Sequence, residues 1–338
     1  MGHGAAEVKV LVTGGGGFLG GAIVRRLIER GHSVRTLARG EYPALSASGV
    51  ETMQGDIANY AAVEAAVRGC EAIVHTAAKA GAWGPYLEYY DTNVIGTQNV
   101  INACKRCEVT RLVYTSTPSV AFAGADQEGV TEAAPYPENF LAAYPRTKAV
   151  AEQLVLAANG ERLGTIALRP HLIWGPGDTQ LGPRIVEGAR AGRLRIVGSG
   201  RQQVDATYID NAAHAHVLAV DRIAPGAACG GKAYYITNGE PWPIADIMNG
   251  IIEAAGAPPV TKHISPGVAY AAGVACETIY TLLRKRNEPP MTRFVARQLG
   301  TAHWYDISAA QQDLGYAPIV SMKEGLERLR AANQAAQD

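Results

Sequence analysis

Two side chains raise the question of chemistry. Tyr144 and Lys148 stand four residues apart in "AYPRTKAVAEQLVLAAN", a spacing that sets a phenol and an ammonium on one helix face. Pro145 suits a first helical position, and Val150, Leu154 and Ala157 supply an apolar stripe behind it. A phenol with an ordinary pKa of about 10 is a sluggish proton donor at neutral pH, and a nearby positive charge favours its ionised form. The pair is therefore equipped for acid-base work at an oxygen. Tyr-x-x-x-Lys also recurs by chance, so its weight depends on the residues around it.

The second constellation is "VTGGGGFLGG", which follows a strand-like run and opens a helical one. Gly14, Gly17 and Gly20 provide a tight turn, close approach of the backbone to a pyrophosphate, and helix packing on the strand, with Phe18 and Leu19 completing the turn. This context marks a dinucleotide site. At the end of the second strand, "VRTLARG" places Ala38 and Arg39 where an NAD site usually has a carboxylate for the ribose. An arginine without a competing acid suits the extra phosphate of NADP, so NADP is the expected cofactor and NAD the alternative. Asp56 and Ile57, closing the third strand in "QGDIAN", are expected to frame the adenine.

These groups need a scaffold. In the first half, apolar β-rich runs from Val8, His32, Val50, Glu71, Arg111 and Thr165 alternate with helical stretches near 18–30, 61–67, 92–104 and the Tyr144 helix. Strands apolar on both faces, alternating with helices, predict an α/β fold with a doubly wound parallel sheet of Rossmann type. Past Gly175 the alternation stops and proline and glycine become denser. The expected organisation is a nucleotide-binding domain over 1–174, to which the chain returns near 204–238, and a smaller substrate-binding domain over 175–338. The cleft between them lies at the carboxyl ends of the strands.

Bulk properties narrow the function. The chain has 338 residues, 47% of them hydrophobic, and 31 Lys and Arg balance 31 Asp and Glu, so neither nucleic acid nor an anionic surface is called for by net charge. No signal-peptide pattern opens the chain, and Met1 to Gly4 reads equally as native sequence or a cloning remnant. Five cysteines in irregular spacing fit a reducing cytoplasm. Cys104 and Cys107 lie in a helical pattern without a second pair, so no metal is expected.

In order along the chain, "TGGGGFLG", "GDI", "VHTAA", "NVIGTQN", "YTSTPSV", "YPRTK", "LRPHLIWGPGD" and "YIDNAAHAH" resemble the extended short-chain dehydrogenases/reductases, in the 3β-hydroxysteroid dehydrogenase branch, over nearly the whole length. The resemblance implies Tyr144 as proton donor or acceptor and Lys148 as its tuning charge and holder of the nicotinamide ribose. It implies Thr117 as the hydroxyl orienting the carbonyl, with Ser116 beside it as the alternative, and Asn93 as the orderer of a relay water. It extends the cofactor set to Ala77, Ala78, Lys79, Pro170 and Leu172.

For the substrate, "AKAGAWG", "ITNGEP" and "EPPMTRFVARQL" are similar to bacterial 2-alkyl-3-oxoalkanoate reductases of olefin biosynthesis, which implies NADPH reduction of a β-keto acid with long alkyl chains beside a β-lactone-forming partner enzyme. Sterol-4α-carboxylate 3-dehydrogenases are the neighbouring family, acting on a hydroxyl β to a carboxylate. Lys79, Trp83, His171 and Arg184 are candidates for contacting such a substrate. The apolar stretch 267–286, ending in Arg284, Lys285 and Arg286, reads as a lid over the cleft or as a peripheral membrane contact. A homodimer and an assembly of pathway enzymes are both open. A nucleotide-sugar epimerase shares the fold and the Tyr-Lys pair, but Ala38 and the apolar C-terminal segment disfavour it.

Overall fold

The computed structural model describes residues 7–336. Seven parallel strands, β1 (Lys9–Thr13), β2 (Ser33–Ala38), β3 (Glu51–Gln54), β4 (Ala72–His75), β5 (Arg111–Thr115), β6 (Gly164–Pro170) and β7 (Lys232–Ile236), form one sheet. Their order is β3-β2-β1-β4-β5-β6-β7. Successive side chains of a strand point to opposite faces, so runs such as "KVLVT" must be covered twice. Val10, Val12, Val74, Val113 and Ile166 join one core with helices α1 (Phe18–Glu29) and α4 (Ile209–Arg222). Leu11, Ile73, Leu112, Tyr114 and Ala167 join the other, beneath α2 (Gly96–Arg106) and α3 (Ala143–Ala157). The expected doubly wound α/β architecture is what the chain adopts. Strand order reverses between β1 and β4, which opens a crevice at their carboxyl ends.

The β1–α1 turn is set by close contacts that only glycine permits. Gly14 has a φ of 72°, and a Cβ at Gly20 would sit 2.2 Å from the Gly14 carbonyl oxygen. A Cβ at Gly16 would strike the ring of Tyr42, which lies across the loop.

Two features depart from the sequence reading. The helix expected over 92–104 starts earlier, at Tyr86, and passes through a π-helical turn at Asp91–Ile95 before α2. Asn93 is buried within this turn, and π-turns are frequent at functional sites. A small mixed sheet orders Trp242–Pro243, Gln203–Val204, His303–Tyr305 and Gln127–Val130 side by side. Its short segments come from distant parts of the chain, and His303 within it bonds His171 at 2.9 Å. Helix α5 (Pro266–Leu282) packs on α6 (Arg293–Gly300) beyond it.

Replacing Gly20 with alanine is predicted to cost about 1–3 kcal/mol, the usual penalty of overpacking against backbone. Denaturant unfolding checks this, and an unchanged midpoint would show that the turn relaxes freely.

Candidate active site

The crevice is a cavity of about 710 Å³, within the ~300–1,000 Å³ range of small-molecule sites. Its floor is the glycine turn, Gly14, Gly17, Phe18, Leu19 and Gly20. Gly17 caps α1 with extended backbone and no side-chain hydrogen bond, and the first turn carries no acid. The free N–H groups and positive end of the helix dipole therefore face the cavity, as an anion-binding cradle requires. Ala38 and Arg39 border the same cavity, and the exposed Arg39 guanidinium makes no ion pair among the described residues. Asp56, Ile57, Ala77, Ala78, Pro170 and Leu172 also line it. Asp56 Oδ1 accepts from the Ala58 N–H at 2.9 Å, which fixes the turn after β3. Leu172 has a φ of 39°, a strained left-handed conformation for a branched residue. These residues fit a nicotinamide dinucleotide.

At the other end of the cavity stand Tyr144, Lys148, Thr115, Ser116, Thr117 and Ser119. Tyr144 enters from the first turn of α3 and Lys148 from the next turn on the same face. Burial pushes the Tyr144 phenol up to about 12, opposed by the neighbouring Thr117 hydroxyl. Burial pushes Lys148 down to about 7, opposed by the charge of Glu152. Lys148 makes no hydrogen bond to the phenol itself. Lys148 Nζ instead donates to the Thr115 carbonyl at 2.5 Å and lies 4.1 Å from the Tyr114 ring centroid. Of the two candidate hydroxyls, Thr117 is the one near enough to the phenol to favour its ionised form, and its Oγ1 accepts from the Ser119 N–H at 3.3 Å, while Ser116 Oγ is buried without a partner.

Asn93 is buried and fully engaged. Its Oδ1 accepts from the Lys79 N–H at 2.7 Å, and its amide donates to the Lys79 carbonyl and to Thr147 Oγ1, each at 3.0 Å. It clamps the loop after β4 to α3, and both of its amide donors are already spent. Lys79 borders the loop rather than the cavity, and its Nζ pairs with Glu88 at 2.8 Å. Trp83 donates to the Lys285 carbonyl at 3.2 Å, and Arg184 pairs with Glu288 at 3.0 Å. Neither lines the cavity. Among the four substrate candidates, His171 alone lies on the cavity wall. His303 Nε2 donates to the Gln298 carbonyl at 2.6 Å, so its Nδ1 must accept from His171 Nε2 at 2.9 Å. Burial holds both imidazoles below their usual pKa, leaving His171 Nδ1 as a neutral acceptor.

The sequence reading missed a buried ion pair. Glu152, one turn beyond Lys148, receives Arg169 Nε at 3.0 Å, Arg169 Nη2 at 2.6 Å and the Tyr136 hydroxyl at 2.7 Å. Glu152 is 0% and Arg169 2% exposed. The i, i+4, i+8 spacing of Tyr144, Lys148 and Glu152 was the available signal. Arg169 sits on β6, and nothing local in the sequence ties it to α3.

Over residues 11–263 the chain matches the 3-beta hydroxysteroid dehydrogenase/isomerase family. The 2-alkyl-3-oxoalkanoate reductase of Stenotrophomonas maltophilia is 56% identical over 330 residues, covering 97% of this chain and 100% of that protein. The decarboxylating sterol-4-alpha-carboxylate 3-dehydrogenase of Mus musculus is 33% identical over 325 residues, covering 95% of this chain and 89% of that protein. The crystal structure of UDP-glucuronic acid 4-epimerase from Bacillus cereus in complex with NAD superposes with a TM-score of 0.74 at 23% identity, covering 98% of this chain and 100% of that one. At that identity the likeness speaks for the fold alone. Fold, cleft and relatives together define an NAD(P)-dependent oxidoreductase. Within that class the chain belongs to the 3-beta hydroxysteroid dehydrogenase/isomerase family.

Glu152→Ala strands the Arg169 charge in the core and is predicted to cost about 3–5 kcal/mol. Glu152→Gln, which keeps the shape and part of the hydrogen bonding, costs less. Equal unfolding midpoints for the wild type and the alanine variant would contradict the pair's role.

Proposed function

We propose that the protein uses NADPH to reduce a lipid-like β-keto acid, a 2-alkyl-3-oxoalkanoate, to the 2-alkyl-3-hydroxyalkanoate. The observation that carries this reading is the convergence of Tyr144, Thr117 and Lys148 on the cavity floored by the glycine turn. The 56% identical relative, named as a reductase of that substrate, supports the choice of acid. A nicotinamide held in the cleft would supply a hydride to the carbonyl carbon. Thr117 Oγ1 holds the carbonyl oxygen, and Tyr144 Oη gives it the proton it needs as it becomes an alkoxide. That transfer leaves a phenolate in a buried place where ionisation is disfavoured, and the Lys148 ammonium offsets the charge. Asn93 serves as a positioning residue for the loop. Arg39 receives the adenosine phosphate that distinguishes NADP from NAD.

The mouse relative favours one other reading, oxidation of a sterol 3-hydroxyl beside a carboxylated carbon, with Tyr144 as the base. A paired assay of nicotinamide absorbance separates the two. NADPH consumption with a freshly generated 2-alkyl-3-oxo acid, and no cofactor reduction with a 4α-carboxysterol, is the expected result. The reverse pattern would overturn the proposal.

Three variants test the roles. Tyr144→Phe removes the proton and is expected to abolish turnover while the Kd for NADPH stays within about twofold, since the ring remains; appreciable residual turnover would remove Tyr144 from the mechanism. Arg39→Ala should weaken NADPH roughly ten- to a hundredfold, the worth of a charge-assisted hydrogen bond, with NADH little changed; equal weakening would defeat the phosphate assignment. Lys148 carries its charge below a pKa of about 7 and loses it above, so kcat/KM for reduction should fall as pH rises through that value. Lys148→Arg keeps the charge and should remove that limb, and its persistence would assign the limb to another group.

A further inference from the structure

Helix α5 is amphipathic in the reverse sense to a helix of a protein surface. Its 17 residues include one charged side chain, Glu277, and that one faces the protein. Glu277 accepts from the Arg293 backbone N–H at 2.7 Å and from Arg293 Nε at 2.6 Å. Ala269 and Gly273 are buried on the same side, and a Cβ on Gly273 would lie 2.7 Å from the Arg293 nitrogen, so α5 sits tightly on α6. The opposite stripe, Val268, Ala271, Ala275, Ile279 and Leu282, follows helical spacing and is exposed along its length. Leu282 is 77% and Leu283 60% exposed. An ordinary surface helix puts its polar residues there.

The chain then turns through Arg284, whose φ is 52°, and the Lys285 N–H closes the turn on the Tyr280 carbonyl at 2.9 Å. Arg284, Lys285 and Arg286 are all exposed at the end of the apolar stripe. Of the acids nearby, Glu277 is engaged by Arg293 and Glu288 by Arg184, while Glu88 pairs with Lys79 at 2.8 Å and more loosely with Arg286 at 3.8 Å, leaving Arg284 and Lys285 without an ion pair among the described residues. Against a second copy of this face, the basic run would meet its own like charge. Against anionic headgroups it finds complement, while the apolar stripe enters the acyl boundary. Among the described residues no helix is long and apolar enough to cross a membrane, so the geometry is that of a helix lying in the interface.

The helix is also joined to the cavity. Phe294 and Gln298 of α6 line the cavity wall, and Trp83, on the loop after β4, meets Tyr280 edge-on and donates to the Lys285 carbonyl. We propose that the outward face of α5 and the basic run 284–286 dock the protein on an anionic lipid surface and bring the cavity to it. This surface is argued from exposure and charge and stands independently of which acid or sterol is reduced.

Vesicle flotation tests it, using the full chain with phosphatidylcholine vesicles and with phosphatidylcholine–phosphatidylglycerol vesicles. The wild type should float with the mixed vesicles. Leu282→Asp should lose that binding at least tenfold. Arg284→Ala/Lys285→Ala/Arg286→Ala should lose roughly a hundredfold, since each basic residue near an anionic surface contributes about a fivefold gain. These side chains are exposed, so thermal unfolding should match the wild type. Failure of the wild type to float would overturn the proposal, as would flotation indifferent to Leu282→Asp. Self-association in sedimentation that Leu282→Asp abolishes, without vesicle binding, would instead assign the face to a second copy. None of these readouts depends on turnover.

Discussion

The buried Glu152–Arg169 pair is the constraint around which the active-site helix is organised. A carboxylate and a guanidinium at 0% and 2% exposure cannot stand alone in an apolar interior, so α3 and β6 must meet in the one register that brings them together. That register fixes what lies one and two turns earlier on α3. Lys148 is placed against the Thr115 carbonyl at the end of β5, and Tyr144 at the Thr117 hydroxyl. Tyr136 adds a third bond to Glu152 and ties the preceding loop to the same point. The pair also sets the field. Lys148 is buried enough to shed its proton near neutrality, and the carboxylate one turn away works against that loss.

The dinucleotide half of the protein was almost wholly legible in the sequence. Alternating apolar runs and helical periods mark six of the seven strands, and the glycine spacing marks the turn, because both are local patterns; the seventh strand, Lys232–Ile236, lies past Gly175 where the alternation stops. The proposed acid-base pair was legible for a different reason, since helix geometry alone carries Tyr144 and Lys148 to one face, whereas Thr117 came only from the family resemblance. Long-range pairings were not legible. Gln127–Val130, Gln203–Val204 and His303–Tyr305 are two to four residues each, and Val204 meets His303 across 99 positions and Gln127 meets His303 across 176, so no periodicity could announce them. Lys79, Trp83 and Arg184 read as free groups for a substrate because their partners, Glu88, the Lys285 carbonyl and Glu288, come from tertiary contacts that composition does not encode.

The cavity joins two chemically different regions. One end is backbone N–H groups and an exposed arginine, suited to phosphate. The other is hydroxyls, a phenol and the His171 imidazole, bonded behind the wall to His303, beside Phe294 and Leu181. A substrate that is polar at its reacting oxygen and apolar beyond it matches that second region.

The most direct test of the central claim follows the hydride itself. NADPH carrying deuterium on the reactive carbon of the nicotinamide is incubated with the enzyme and a 2-alkyl-3-oxo acid, and the product is examined by mass spectrometry and NMR. The account predicts a 2-alkyl-3-hydroxy acid with one deuterium, on carbon three. A hydroxy acid without deuterium, or a label at any other carbon, would contradict it.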